Sequence, residues 1–292
     1  MPLKFAIVRE DSELEVELVE RTGARAALLV CSGGCTALTL ARRFPRLAVT
    51  VFDTNRAQLE HLRQKAAAAP DEIESLDQRG EFEALFRLLR AGVEELVARP
   101  DEIGAYFAGD RERAHGWIES RYWPAVFATC FNDPLLHAMF GPAATQHATP
   151  GSYPQYFQRA FERGLLRADG PTNPFLQHVL LGRRLSPPPW IGASSASIEM
   201  LEGSLPDDLE RFQLFSLSNV LDWSDDALAA DWGQRIGRAA RPGSAVLLRQ
   251  LNNSRPVERF FPQLEFDAAL GERLLARDRS LFYQRILVGF RR

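Results

Sequence analysis

The sequence predicts an α/β protein with a Rossmann-like sheet and a large helical insertion after the second strand and its helix. Three observations lead to this prediction. A short apolar run, Ala26–Val30, is followed at once by a glycine turn. A second apolar run, residues 47–52, ends at Asp53, and comparable runs resume only after residue 190. Strand, turn, helix, strand and acid in this order are typical of the opening of a parallel α/β sheet.

The elements follow from hydrophobic spacing and from capping residues. Residues 36–44 carry apolar side chains at helical spacing after the glycine turn, and Asn55 can cap a helix over residues 55–68. The later strands are expected at residues 197–201, 212–216, 244–251 and 281–290, with a helix over residues 225–240.

Between these two groups of elements, residues 69–189 are predicted to form a helical insertion. This segment is rich in aromatic residues and interrupted by prolines, and it shows no strand alternation. Residues 1–68 and 190–292 are therefore expected to form the Rossmann-like domain, and the insertion is expected to cover the sheet as a lid on the acceptor side.

Composition excludes several classes of protein. The 292 residues carry a net charge of −3, and the arginines are spread out and mixed with acids, so no basic stripe for nucleic acid is present. The three cysteines are too few and too odd in number for a disulfide framework, which favours a reducing, cytoplasmic setting.

The sequence also predicts no integral membrane segment. Residues 1–10 lack the apolar stretch of a signal peptide. The longest uncharged stretch, residues 134–158, contains four prolines and cannot form a regular membrane helix. A peripheral membrane contact stays open.

The first glycine turn and the following acid predict a nucleoside site. A glycine turn between strand and helix aims backbone N–H groups at a ligand, and an acid on the next strand can hold a ribose. Asp53 follows Gly33 by 20 residues, the interval expected for this arrangement. The turn reads Ser32-Gly33-Gly34-Cys35 rather than G-x-G-x-x-G, which disfavours a nicotinamide dinucleotide. The simpler interpretation of Asp53 is a cap for the next helix.

The ends of the later strands are expected to line the same pocket as the glycine turn and Asp53. Ligands of open α/β sheets bind beyond the carboxyl ends of the strands. The glycine turn, Asp53, residues 202–205 and residues 218–222 are therefore expected around one pocket. The turn Arg241-Pro242-Gly243 before the fifth strand is a recurrent feature of class I methyltransferase-like folds.

Several segments, in order along nearly the whole chain, resemble one family. Ser32-Gly33-Gly34-Cys35-Thr36-Ala37-Leu38 is similar to its S-x-G-C-x-A-L turn, and residues 9–11 resemble its W-E-D motif. The other matching segments are residues 53–58, 173–176, 182–183, 203–205, 217–222 and 278–283. The family is that of the S-adenosylmethionine:diacylglycerol 3-amino-3-carboxypropyltransferases of betaine-lipid synthesis and their relatives. The chain differs in having Arg9 for the tryptophan and Asp222 for the loop glutamate.

This resemblance implies a transferase that uses S-adenosyl-L-methionine and releases methylthioadenosine. The acceptor would be a small molecule or a lipid carrying a hydroxyl or an amine. In this interpretation Asp53 and Thr54 bind the ribose, and Ser32, Gly33, Gly34 and Cys35 lie against the amino-acid end. The remaining cofactor contacts would come from Glu10, Asp11, Gly203, Ser204, Leu205, Ser218 and Asn219.

Candidates for the chemistry itself are fewer. Asn219 and Asp222 would face the sulfonium, and His137 and Tyr283 are candidate catalytic groups, although a lone histidine among aromatics is more often structural. Arg183 and Tyr153 are expected on the acceptor side, with Arg183 able to pair with an anion. Cys31 and Cys35 without nearby histidines do not predict a metal site.

Two other functions fit the same pocket. An S-adenosylmethionine-dependent small-molecule methyltransferase would share every cofactor contact and would differ in its by-product, S-adenosylhomocysteine. A non-catalytic binding protein would retain the fold and lack turnover. The intact turn and Asp53 favour an enzyme.

Overall fold

The computed structural model describes residues 1–292 and contains one seven-stranded mixed sheet. The strands are β1 Ala26–Val30, β2 Ala48–Asp53, β3 Ile198–Glu202, β4 Leu214–Ser216, β5 Ala245–Gln250, β6 Leu264–Phe266 and β7 Arg285–Arg291. Their order across the sheet is β3-β2-β1-β4-β5-β7-β6. The first five positions pair in parallel, and β7 runs antiparallel between β5 and β6. The architecture is α/β and compatible with a Rossmann-like fold.

Five helices belong to the sheet layers: α1 Glu13–Thr22, α2 Cys35–Arg43, α3 Arg56–Ala67, α12 Asp226–Ala239 and α13 Ala268–Arg277. Side chains alternate along β1, so Ala27 and Leu29 join the core under α1, α2, α3 and α13, while Leu28 joins the core under α12. The strands are thus buried on both faces, as parallel sheets require.

The chain between α3 and β3 is helical. It forms α4 Ile73–Leu76, α5 Glu81–Leu96, α6 Pro100–Phe107, α7 Arg113–Glu119, α8 Trp123–Cys130, α9 Asp133–Phe140, α10 Tyr153–Leu166 and α11 Pro174–Leu180. These helices share a separate aromatic core, which Leu281 and Phe282 enter from the far end of the chain. None of the helices has the length and apolar composition needed to cross a bilayer.

The structure differs from the prediction in the start of the last strand and in two further elements. The last strand begins at Arg285 rather than at residue 281, because Leu281 has a left-handed backbone (φ 73°) and points into the helical core. The short strand β6 and the helix α13 were not predicted. The strands expected near residues 26–30, 47–53, 197–201, 212–216 and 244–251 are present.

Candidate functional site

A cavity of about 360 Å³ opens beyond the carboxyl ends of β1, β2 and β4, between the sheet and the helical layer. This is the point at which strand order reverses, because β1 continues to β2 on one side and pairs with β4 on the other. The polar wall comes from the strand ends and the N-terminal segment: Lys4, Arg9, Glu10, Ser32, Asp53, Thr54, Asn55, Gln58, Ser218, Asn219 and Tyr283.

Asp53 lies beside the glycine turn, as expected. Its Oδ2 accepts a hydrogen bond from Ser32 N at 3.1 Å, and its Oδ1 accepts one from Asn55 N at 2.9 Å. Burial raises the pKa of this carboxyl, and the two N–H donors oppose that shift. A carboxylate has more lone pairs than these two bonds use. Asp53 can therefore accept from a ligand hydroxyl while holding the turn.

The cap of α3 is Asn55 and not Asp53. The side chain of Asn55 accepts from Ala57 N at 3.1 Å, which is the usual N-cap contact. Asp53 precedes this cap and lies in the cavity wall with Thr54. The simpler interpretation of Asp53 as the helix cap is therefore wrong.

The glycines of the turn have a different role from the expected one. A Cβ on Gly33 would lie 2.7 Å from Ala6 O, Ile7 C and Val8 N, so the N-terminal segment occupies the space in front of this glycine. A Cβ on Gly34 would meet Leu62. Only Ser32 of the turn lines the cavity, and Gly33, Gly34 and Cys35 do not.

The same segment that covers Gly33 brings Glu10 into the cavity wall. Glu10 Oε1 accepts hydrogen bonds from the Ser218 hydroxyl and from Tyr283 Oη, the latter at 3.2 Å. Its Oε2 lies 2.9 Å from Arg249 Nη1, and this fully buried arginine also holds Glu15 through both carboxylate oxygens. Two carboxylates on one guanidinium leave an uncompensated negative charge, and burial raises the pKa of Glu10.

Arg9 is a cavity residue that the sequence analysis did not select. Its guanidinium stacks on the Phe86 ring at 4.4 Å, and Nη2 contacts Glu83 Oε1 and His178 Nδ1, each at 3.1 Å. Nε and Nη1 are buried and have no partner in the protein. The only available signal was the departure of Arg9 from the tryptophan of the family motif.

The rest of the wall is apolar and belongs mainly to the helical layer. These residues are Met1, Phe5, Val30, Phe82, Leu136, Phe140, Ala144, Tyr153, Phe157, Val220, Trp223, Leu251 and Phe282. Tyr153 lies here as expected, with its hydroxyl donated to Ala144 O at 3.2 Å. The cavity therefore has a polar floor at the strand ends and an apolar roof.

Two of the predicted acids lie outside the cavity wall because other groups bind them. Asp11 forms a two-pronged pair with Arg279, with both nitrogen–oxygen distances at 2.6 Å. Asp222 accepts from Leu251 N and Asn253 Nδ2, each at 2.7 Å, and burial raises its pKa to about 6. Asp222 therefore fixes the loop after β5, whereas Asn219 does line the cavity.

The remaining predicted residues also lie elsewhere. His137 Nε2 contacts Thr145 Oγ1 at 2.6 Å, and Arg183 lines a separate pocket beside Arg184. Residues 203–205 do not line the cavity. Gly203 N instead donates to Asp53 O at 2.9 Å, and Leu205 is buried in the core under α12.

No protein-family model and no curated protein matches this chain. A proposal for the function therefore rests on the cavity and the residues that line it.

Proposed function

We propose that the chain is an S-adenosyl-L-methionine-dependent transferase that moves the 3-amino-3-carboxypropyl group to a hydroxyl or amine acceptor. The observation that carries this proposal is the position of Asp53, hydrogen-bonded to Ser32 N in the wall of a cavity at the β1–β4 switch point. The strand order with β7 reversed is compatible with a class I methyltransferase-like fold.

The residues present fit the ligand. A cavity of about 360 Å³ is within the roughly 300–1,000 Å³ of small-molecule sites. Asp53 and Thr54 would hold the ribose. Glu10, in a cluster with one excess negative charge, would face the ammonium of the methionyl arm.

The transfer step needs orientation more than acid–base chemistry. The acceptor forms a bond to Cγ of the methionyl arm, the S–Cγ bond breaks, and its electron pair stays on sulfur, which leaves as neutral methylthioadenosine. An amine acceptor then releases its proton to water. A hydroxyl acceptor needs a base in contact. Burial raises the pKa of Tyr283, so its phenol stays protonated; Tyr283 Oη would take the hydroxyl proton while passing its own proton to Glu10 Oε1.

The apolar roof supports an acceptor with an apolar body. Phe140, Tyr153 and Phe157 line the cavity from the helical layer, and Trp223 lines it from the loop after β4, so an acceptor among them would share the cavity with the sulfonium. Aligning two reactants in this way can supply about 7–11 kcal/mol of the barrier. Such an acceptor is a small molecule or a lipid.

The by-product of turnover tests the proposal. We expect purified protein, incubated with labelled S-adenosylmethionine and a cell extract, to form methylthioadenosine and one extract component heavier by the aminocarboxypropyl group. Mass spectrometry measures both. S-adenosylhomocysteine in place of methylthioadenosine would instead establish a methyltransferase. Binding of the sulfonium without any product would favour a binding protein.

A further inference from the structure

We propose that Arg9 binds a carboxylate inside the cavity, namely the α-carboxylate of the methionyl arm of the sulfonium substrate. This inference rests on the proposed function, since it assigns one end of that substrate to a residue. It starts from the hydrogen bonds of Arg9, which has more donors than the protein offers acceptors. Arg9 is 6% exposed, and only one of its three guanidinium nitrogens has partners.

Unpaired donors of this kind are costly. A buried N–H group without an acceptor loses its hydration and gains nothing in return, and the loss is greater for charged groups. Arg9 stays charged because the pKa of a guanidinium is far above neutrality, although burial lowers it. Arg9 is one of the residues that line the cavity, so we infer that a ligand in the cavity supplies the missing acceptor.

The surrounding groups favour an anion over a neutral acceptor. Burial and the nearby cations Arg9, Arg184 and Lys65 lower the pKa of His178 well below its ordinary value, so this imidazole is neutral and contacts Arg9 without a charge. Glu83 is the one carboxylate in contact with Arg9, and its oxygens also accept from Ala6 N and Ile7 N. Glu83 therefore divides its oxygens between Arg9 and the backbone. A ligand carboxylate would accept from the donors of Arg9 that Glu83 leaves unpaired.

The next residue makes the carboxylate part of an amino acid. Glu10 follows Arg9 directly and lines the same cavity with the opposite charge. Its cluster carries an excess negative charge, which an ammonium would balance. Neighbouring cation and anion in one wall match the two charges of an α-amino acid group.

Three ligands separate this inference from the proposed function. S-adenosylmethionine carries both charges of the amino-acid group, its decarboxylated analogue lacks only the carboxylate, and methylthioadenosine lacks the whole arm. We expect the wild-type chain to bind S-adenosylmethionine about 10- to 100-fold more tightly than the decarboxylated analogue, as measured by calorimetry. In Arg9→Met this preference should disappear, and the affinity for methylthioadenosine should not change.

The outcomes are distinguishable. Equal wild-type affinities for the two sulfonium ligands, or a preference that survives in Arg9→Met, would overturn the role of Arg9 and leave the proposed function standing. Failure of all three ligands to bind would contradict both. If Arg9→Met does not fold, Arg9→Lys takes its place: it keeps the charge but loses the planar fork, so the preference for S-adenosylmethionine should fall, and an unchanged preference would overturn the role of Arg9. Arg90→Met, a partly buried arginine outside the cavity wall, is the matched control.

Discussion

At the scale of single residues, Asp53 joins the turn after β1 to the cavity. Its carboxylate binds Ser32 N and Asn55 N and still has lone pairs for a ligand. We expect Asp53→Ala to weaken binding of both S-adenosylmethionine and methylthioadenosine about 10- to 100-fold, because both carry the ribose. Calorimetry measures this effect.

A matched variant isolates the carboxylate in that experiment. Asp53→Asn keeps one oxygen acceptor for the turn, so it should fold like the wild type and lose less affinity than Asp53→Ala. Equal affinity of all three proteins for methylthioadenosine would place the ribose elsewhere.

Asp278 is a buried carboxylate whose ionisation opposes folding. Its two oxygens accept from Ser280 N at 2.8 Å and Ser280 Oγ at 2.7 Å, and burial raises its pKa from 3.8 to about 6. Between these two values the folded chain holds a proton that the unfolded chain has lost, so this group's contribution to stability falls as pH rises and is lowest above pH 6.

Asp278→Asn should remove this penalty. The amide can accept from Ser280 N and donate to Ser280 Oγ, so both contacts survive. The shift predicts a gain of about 3 kcal/mol in the free energy of unfolding at pH 7.5 and about 1 kcal/mol at pH 4.5. Urea titrations at both pH values measure it. A gain independent of pH would contradict the assignment, and Asp225→Asn, at the exposed N-cap of α12, should show none.

At the scale of elements, the N-terminal segment connects the glycine turn to the polar floor. Gln58 of α3 holds the segment through Lys4 N at 2.8 Å and Phe5 N at 3.2 Å, and it donates to Ser32 O. Gly33 then lets residues 6–8 pass against the turn. The segment continues into Arg9 and Glu10, so the packing of the turn positions both charged residues.

Gly33→Ala should therefore disturb fold and cavity together. The added methyl group would meet backbone atoms at 2.7 Å, and such overpacking costs about 1–3 kcal/mol. We expect lower stability in urea and weaker binding of the sulfonium. Gly104→Ala in α6 has no atom within 4 Å of the new methyl group and should stabilise the chain by about 0.5–1 kcal/mol. Equal stability of the two variants would refute the close packing.

Elements with local signals were predictable from the sequence, and contacts between distant segments were not. β1, the turn and β2 are consecutive and carry their own apolar runs and glycines. The ends of β1, β2 and β4 bring Ser32, Asp53 and Asn219 into the cavity wall, as the strand positions in the sequence predicted. β6 has three residues, and only its pairing with β7 makes it a strand. Arg9 meets partners 74 and 169 residues away, which no local pattern encodes.

At the scale of the whole molecule, the helical layer and the sheet have separate cores, and the segment before β7 is one of the links between them. Phe282 packs among Phe86, Phe157 and Phe161 at ring distances of 5.5–6.0 Å, and the same segment continues into β7. Polar contacts between the helical layer and the loops of the sheet add to this link, among them His147 Nε2 to Ser224 O at 2.8 Å. Because both cores depend on this strand, we expect them to unfold together.

Phe282→Ala tests this coupling. Truncating a buried phenylalanine costs about 3–5 kcal/mol, and in a coupled molecule the loss reaches both cores. Hydrogen exchange followed by mass spectrometry compares a peptide from α8, in the helical layer, with one from β5, in the sheet. Under conditions in which exchange requires global unfolding, the exchange rates of both peptides should rise by the same factor. Phe212→Ala, the same truncation in the core under α12, should accelerate the same two peptides. If each variant accelerates only the peptide from its own core, the two layers unfold independently and the cavity between them is a contact of separate units.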